Sequence, residues 1–502
     1  MTQTHTPGLP QAAPTPHRTL SDAVPGRVRE AAAVVILPLA QAWDMVRSFV
    51  LTHLATRAER LLPPVTVWVF FLLWAGQGLR DSIGWWGYGV AVALTLPTFV
   101  VLFLAAGRRL TLRRIPVGVA AFALVTCVSI VWSQYKWLTL AAGLAMLLTT
   151  LVGVMVAVAF PLRQMSDLLM HALQWTIGLS LALEVFVAAV LGHRLAPLYM
   201  LGSSTIADTA YWVNGLIFQG GPIQGIVGNR NPLAFIALMC ALCVAVTWLD
   251  HRMSTARAAT WMGLSLLTLA LTRSATVMIA SLACAAVLAT ALLIRRLAPE
   301  RRRGAVRWAI LVACVMIVTG LLMHDTVSSM LGRDPDMSGR SEIWARVLRL
   351  WELRPVTGWG WTMYWAPWIP TFRYLVVRQD GAPTMSSHNA FLETGFQTGL
   401  IGLAVLLVVI VLLLRSTYSV ALHSLDTDIS TLLPALATTA MVIQAFTESR
   451  LISEGNWMLV AAIATWLTVR AHAPQAGARV DATTATGRTP AGVQRQLVSS
   501  AR

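Results

Sequence analysis

The chain alternates long apolar runs with short polar joints, and most runs have the length that crosses a bilayer. A helix needs about 20 apolar residues to span the hydrocarbon. Runs of that kind lie near 62–79, 86–107, 116–133, 138–160, 168–190, 232–249, 258–272, 275–294, 306–323, 399–414, 430–446 and 456–471, twelve in all. The seventh is short, and reads as tilted or as paired with the eighth in a broken hairpin. The pattern predicts an all-α integral membrane protein of about 12 transmembrane helices.

The stretches between the runs set the domain plan. Residues 1–30 are rich in Pro, Thr and Ala and lack an apolar h-region, so they read as a disordered cytoplasmic tail rather than a secretory signal. Residues 31–61 hold an apolar patch broken by Pro38, Asp44 and Arg47, which predicts an amphipathic helix on the membrane surface. Residues 62–323 carry spans 1–9, with an outer loop at 191–231. A large outer loop follows at 324–398, then spans 10–12 in 399–471 and a second disordered tail at 472–502.

Composition agrees, and charge orients the chain. It is 56% hydrophobic and 12% charged, with mean hydropathy +0.66, whereas soluble domains carry about 25% charged residues. A net charge of +16 would point to nucleic acid in a soluble protein. Here the arginines crowd short joints: Arg108, Arg109, Arg113 and Arg114; Arg163; Arg252 and Arg257; Arg295, Arg296, Arg301, Arg302 and Arg303; Arg415. By the positive-inside rule these face the cytoplasm, so both termini are cytoplasmic and no nucleic-acid partner is expected. Cys127, Cys240, Cys243, Cys284 and Cys314 all lie in apolar runs and read as small packing groups, the Cys240/Cys243 pair included.

The two long outer segments carry the chemistry. In "SGRSEIWARVLRLWELRPVTGWGW", Ile343, Trp344, Val347, Leu348 and Trp351 recur at helical spacing. This predicts an amphipathic helix at the membrane surface, anchored by Trp344 and Trp351. Arg346 and Arg349 on its polar side meet headgroups or pair with Glu342 and Glu352. Arg340 stands at its start, where a guanidinium and exposed N–H groups can converge on phosphate.

"GIVGNRNPLAF" places Asn229, Arg230 and Asn231 at the start of the sixth span. It reads equally as a polar cap or as a carbohydrate or phosphate contact. Arg273 lies between two spans with almost no loop, a costly position without an anionic partner or a route to the interface. Glu184, in the outer half of the fifth span, reads either as part of a proton or substrate path or as a structural pairing with an arginine; His171 reads as a packing residue. "MSSHNAFLETGFQTGLIG" sets His388, Asn389 and Glu393 just ahead of the tenth span, with Ser386 or Ser387 as cap of a helix beginning at His388. Asp334 and Asp336 form the nearest thing to a metal-binding pair, but Pro335 separates them, and no metal or other cofactor is expected.

Taken together, "GNRNPLA", "LTRSA", "SGRSEIW…RPVTGWG" and "HNAFLETGFQTGLIG" resemble the O-antigen ligase and polysaccharide polymerase family, most specifically over 225–235 and 338–402. "TRSA" stands where that family usually has an "SRG"-like triplet, and Arg230 interrupts the Asn-x-Asn element. The resemblance implies a GT-C-like, metal-independent glycosyltransferase in the bacterial cytoplasmic (inner) membrane, with its active site outside the cytoplasm. It implies a polyprenyl-diphosphate-linked glycan as donor, such as an undecaprenyl diphosphate, and a glycan, lipid or protein acceptor. Other envelope polysaccharide assembly proteins are expected partners, and membrane lipid surrounds the chain.

The positions it marks are His388 as the catalytic group and Arg273 and Arg340 as donor diphosphate ligands. The residues themselves fit that reaction. Forked guanidinium groups neutralise a diphosphate leaving group, to which Arg230 adds a third, and an imidazole titrates near neutrality and suits a general base. Asn389, Glu393, Asn229 and Asn231 are expected to contact acceptor or sugar. The rival class is a lipid-linked oligosaccharide flippase or other secondary transporter, which twelve spans also suit. Such folds commonly show two related halves, and no such repeat is visible in the sequence.

Overall fold

The computed structural model describes residues 26–203, 206–322, 339–378 and 380–472. The expected tails therefore lie outside the described residues except for their inner edges, and so do Asp334 and Asp336. The described chain is helical, with α1 (Gly26–Ala105), α2 (Val117–Val128), α3 (Lys136–Ala159), α4 (Leu162–Phe186), α5 (Arg230–Leu249), α6 (Thr255–Thr272), α7 (Ala275–Arg295) and α8 (Pro299–Leu322) before the large loop. The loop holds α9 (Arg340–Glu352) and the short α10 (Pro370–Arg373), and α11 (Ala390–His423), α12 (Leu432–Ala445) and α13 (Glu454–His472) follow.

Each expected span falls on a helix. Among the described residues six helices are long and apolar enough to cross a membrane, one of them Ala55–Ala105, which contains two expected spans. The other expected spans fall on α2, α6, α8, α12 and α13, which are shorter, less apolar or only partly described. Leu94, Leu124, Leu282, Ile310 and Val411 lie exposed on helix surfaces. An outward apolar coat of that kind suits hydrocarbon rather than water.

Two glycines turn the long helices. At Gly84 (φ 74, ψ 174) the chain leaves helical geometry inside α1, and Trp68 Nε1 donates to Thr95 Oγ1 at 3.0 Å. Those residues are 27 apart in sequence, and a straight helix rising about 1.5 Å per residue would hold them roughly 40 Å apart. The two arms of α1 therefore form a hairpin. Gly399 (φ 66, ψ −166) breaks α11 in the same way, separating residues 390–398 from the long apolar arm. One expectation fails in α1: 31–61 is not a separate surface helix. With no Gly or Pro between Leu39 and Leu62, the helix runs from Gly26 through this stretch into the first expected span.

Ion pairs gather at the two ends of the helices. At one end Arg163 meets Asp250 and Asp428, each at 3.1 Å. Arg252 there binds Asp167 and Asp250 at 2.7 Å, and Arg302 binds Asp426 at 2.6 Å. At the other end lie Arg80, Arg340, His388, Glu448, Arg450 and Glu454. Between the two belts α3 and α13 pack closely enough that a Cβ on Gly153 would strike the Met458 carbonyl. Buried Cys240 and Cys243 fill α5. His171 meets Arg257 at 3.3 Å.

The large loop builds its own core. Ile343, Val347, Trp365, Phe372, Val376 and Phe396 are buried together, so the apolar face of α9 packs on protein and not on the membrane surface as expected. The tryptophans expected as anchors bond to the chain itself: Trp344 Nε1 donates to Ser387 O at 3.0 Å and Trp351 Nε1 to Pro355 O at 3.1 Å. Arg346 pairs with Glu342 at 2.6 Å. The two outer segments are joined by Asp380, which accepts from Thr209 N at 2.9 Å and Thr209 Oγ1 at 2.6 Å. Glu184 pairs with backbone and with no arginine among its observed bonds: it accepts from Gln224 N at 2.7 Å and Gly225 N at 2.9 Å, pinning the first outer segment to α4.

Candidate active site

The site starts with the turn before α11. Its helix is capped by Asn389, whose Oδ1 accepts from Phe391 N at 3.0 Å and Leu392 N at 3.1 Å. This corrects the expected Ser386 or Ser387 cap: the helix begins at Ala390, two residues later than the sequence suggested. His388 then sits just outside the helix with φ 51, a left-handed conformation that costs a non-glycine residue about 1–3 kcal/mol and persists only where its surroundings enforce it.

They do enforce it. Glu393 Oε2 accepts from Ser387 N at 2.6 Å, and Ser387 Oγ donates to Asn389 O at 2.8 Å. Ser449 Oγ accepts from Asn389 N at 3.2 Å. Asn389 Nδ2 donates to Phe446 O at 3.1 Å. Glu393 also accepts from Trp365 Nε1 at 2.7 Å and Gln397 Nε2 at 2.6 Å. It is fully buried and Asn389 nearly so, with their hydrogen-bonding groups spent on protein. Both were expected to meet sugar; in this structure they brace the turn that presents His388.

The imidazole points at a carboxylate that no sequence motif marks. His388 Nδ1 lies 3.3 Å from Glu448 Oε2, in the turn between α12 and α13. Glu448 Oε1 receives Arg340 Nη2 at 3.2 Å and Asn231 Nδ2 at 2.7 Å. Burial opposes ionisation of this carboxyl. The attraction of His388 in its protonated form and of Arg340, with the bonds from His388 and Asn231, outweighs it, pushing its pKa down to about 2. Its only signal in sequence is its rarity: 22 acidic residues occur in 502, and "TESRLISEG" places two at the membrane face.

Arg273 reaches the same network through its neighbour. Ser274 Oγ donates to Asn231 Oδ1 at 2.9 Å, so one amide links the α6–α7 corner to Glu448. Arg273 itself is exposed at φ 50, with its Nε donating to Gly220 O at 3.0 Å. Asn229 caps α5 by accepting from Asn231 N at 3.0 Å. Arg230 is exposed in the first turn of the same helix. Thus the expected sugar contacts Asn229 and Asn231 also act within the protein frame, while the three arginines surround it.

A second cluster stands beside the first. Arg80 Nη1 and Nη2 both reach Glu454 Oε1 at 3.0 Å, and its guanidinium lies 5.1 Å from Trp85 and 4.9 Å from Tyr88 ring centroids. Arg450 Nη1 is 3.6 Å from Glu454 Oε2. Among the described residues no group of three or more His, Cys, Asp and Glu side chains is placed to share a metal ion. What the described residues bring together is an imidazole backed by a carboxylate, with guanidinium groups on several sides.

Residues 260–407 match the family model described as O-Antigen ligase. The matched stretch contains Arg273, Arg340, His388, Asn389 and Glu393; Asn229, Arg230, Asn231 and Glu448 lie outside it. No curated protein matches the chain by sequence.

Proposed function

We propose, from the O-antigen ligase resemblance supported over residues 260–407, that the chain is a membrane glycosyltransferase. It moves or polymerises a polyprenyl-diphosphate-linked glycan onto an acceptor hydroxyl, on the outer face of the cytoplasmic membrane. The observation that carries the reading is convergence. His388 from the α11 turn, Arg340 from the α9 start and Asn231 from α5 meet on one carboxylate, and Ser274 ties in the corner bearing Arg273. Five separate stretches of sequence, counting the α12–α13 turn that supplies Glu448, build one polar site at the edge of an apolar bundle.

The reaction follows from those groups. His388 Nε2 takes the proton of the acceptor hydroxyl as its oxygen bonds to the anomeric carbon of the donor sugar. The bond from that carbon to the diphosphate oxygen breaks, and the electron pair leaves with the diphosphate. Arg273, Arg340 and Arg230 stabilise that charge without help from a metal ion, since forked guanidinium groups match phosphate oxygens. The glycan's lipid lies in the bilayer beside the exposed apolar faces.

In this reading twelve passes carry the chain between the two ion-pair belts, and the arginine-dense belt and both termini face the cytoplasm. Proteoliposomes carrying a lipid-linked glycan test the reaction. Wild-type protein should release polyprenyl diphosphate as product glycan appears. Transbilayer movement of the donor with its diphosphate bond intact would instead identify a flippase.

A further inference from the structure

We infer that Glu448 is a positioning residue, which fixes the proton on His388 Nδ1 and holds Arg340 beside it. The inference rests on the reading of His388 as base and adds how that base is prepared. An imidazole has two nitrogens, and a neutral ring carries its proton on only one. A carboxylate accepts but does not donate, so Glu448 Oε2, 3.3 Å from Nδ1, selects the tautomer with the proton there. Nε2 is then left with its lone pair, on a side chain that keeps 21% of its surface open.

The other oxygen does separate work. Glu448 Oε1 takes Arg340 Nη2 and Asn231 Nδ2, so one carboxylate sets base and phosphate ligand in a common frame. Asn231 cannot rotate its amide without giving up Ser274 Oγ, its donor on the other side. Among the described residues, the charged and titratable groups bonded to Glu448 include His388 and Arg340, with Glu393 one step away through Ser449. When the acceptor proton arrives on Nε2, the imidazolium that forms lies against a carboxylate already ionised.

Nitrogen NMR of histidine-labelled full-length protein in nanodiscs reads the tautomer directly, the His388 signals being identified by their loss in His388→Ala. In wild type the neutral ring should carry its proton on Nδ1. In Glu448→Gln that preference should be lost, because a carboxamide can donate to Nδ1 as readily as accept from it. Affinity for polyprenyl diphosphate, used as the probe, should also weaken at least about fivefold as Arg340 loses its bond to the Glu448 carboxylate. Glu448→Asp, which keeps the charge, should stay closer to wild type on both readouts.

An Nε2–H ring in wild type would overturn the inference, as would an unchanged tautomer in Glu448→Gln. The first result needs no Glu448 variant to fold. If His388→Ala transferred glycan at the wild-type rate, the base assignment would fail while the tautomer result stood, so the two failures are distinct.

Discussion

A single residue decides how the site holds together. Glu448 is bonded to partners 60, 108 and 217 positions away, and no spacing rule in a sequence reaches across such gaps. His388, Arg273 and Arg340 were legible because motifs surround them; the carboxylate that joins His388 to Arg340 has no motif of its own. The bonds of Asn389 and Glu393 to the protein frame were hidden for a related reason, since polarity in sequence does not say which groups a side chain meets. At this scale Arg340→Ala should lower transfer by about 10²–10³-fold, as loss of a donor to developing charge typically does. Arg340→Lys should recover only part, because an ammonium lacks the fork. Initial rates with varied donor would show both.

Glu448 also sets a pH dependence whose sign is fixed. Its folded pKa of about 2 lies below the ordinary 4.5, so the folded state favours the carboxylate. Its contribution to stability is then fully present above about pH 4.5 and is lost as pH falls toward 2. Thermal unfolding of wild type and Glu448→Gln should differ most at neutral pH, and the gap should narrow between about pH 4.5 and 3. A constant gap across that range would show that the carboxylate's charge is not what stabilises the turn.

At the scale of elements, hydropathy located the helices but not their partners. The apolar stripe of α9 was plain in Ile343 and Val347, yet a stripe fits lipid and protein equally well; the loop's own aromatic core claimed it. Reversals were similarly hidden, because Gly84 and Gly399 are two glycines among 34. Both hold a backbone region nearly confined to glycine, worth about 1–3 kcal/mol when violated. Gly84→Ala should cost that much and no more, since nothing lies within 4 Å of an added Cβ. Gly399→Ala should cost more, because its Cβ would strike the Val356 carbonyl and part the large loop from the α11 break. Melting temperatures of the two purified variants should rank in that order.

For the whole molecule, the alternation of apolar runs with arginine-dense joints foretold a helical bundle with charge sorted to its ends, and two ion-pair belts are present. The proposed orientation puts the His388 belt outside the cytoplasm. A cysteine placed at exposed Tyr374 should then react with a membrane-impermeant thiol reagent in intact cells, while one at His423 should react only after lysis. The reverse pattern would invert the topology. The central claim is that the imidazole of His388 takes the acceptor's proton while the arginines around it hold the departing diphosphate. Polyprenyl diphosphate released per glycan bond formed, in proteoliposomes of wild type and His388→Ala, tests it most directly. Wild type should release one polyprenyl diphosphate per bond, and the variant should lose about 10²–10⁴-fold in rate with polyprenyl diphosphate still bound; equal rates in the two proteins would contradict the role of His388.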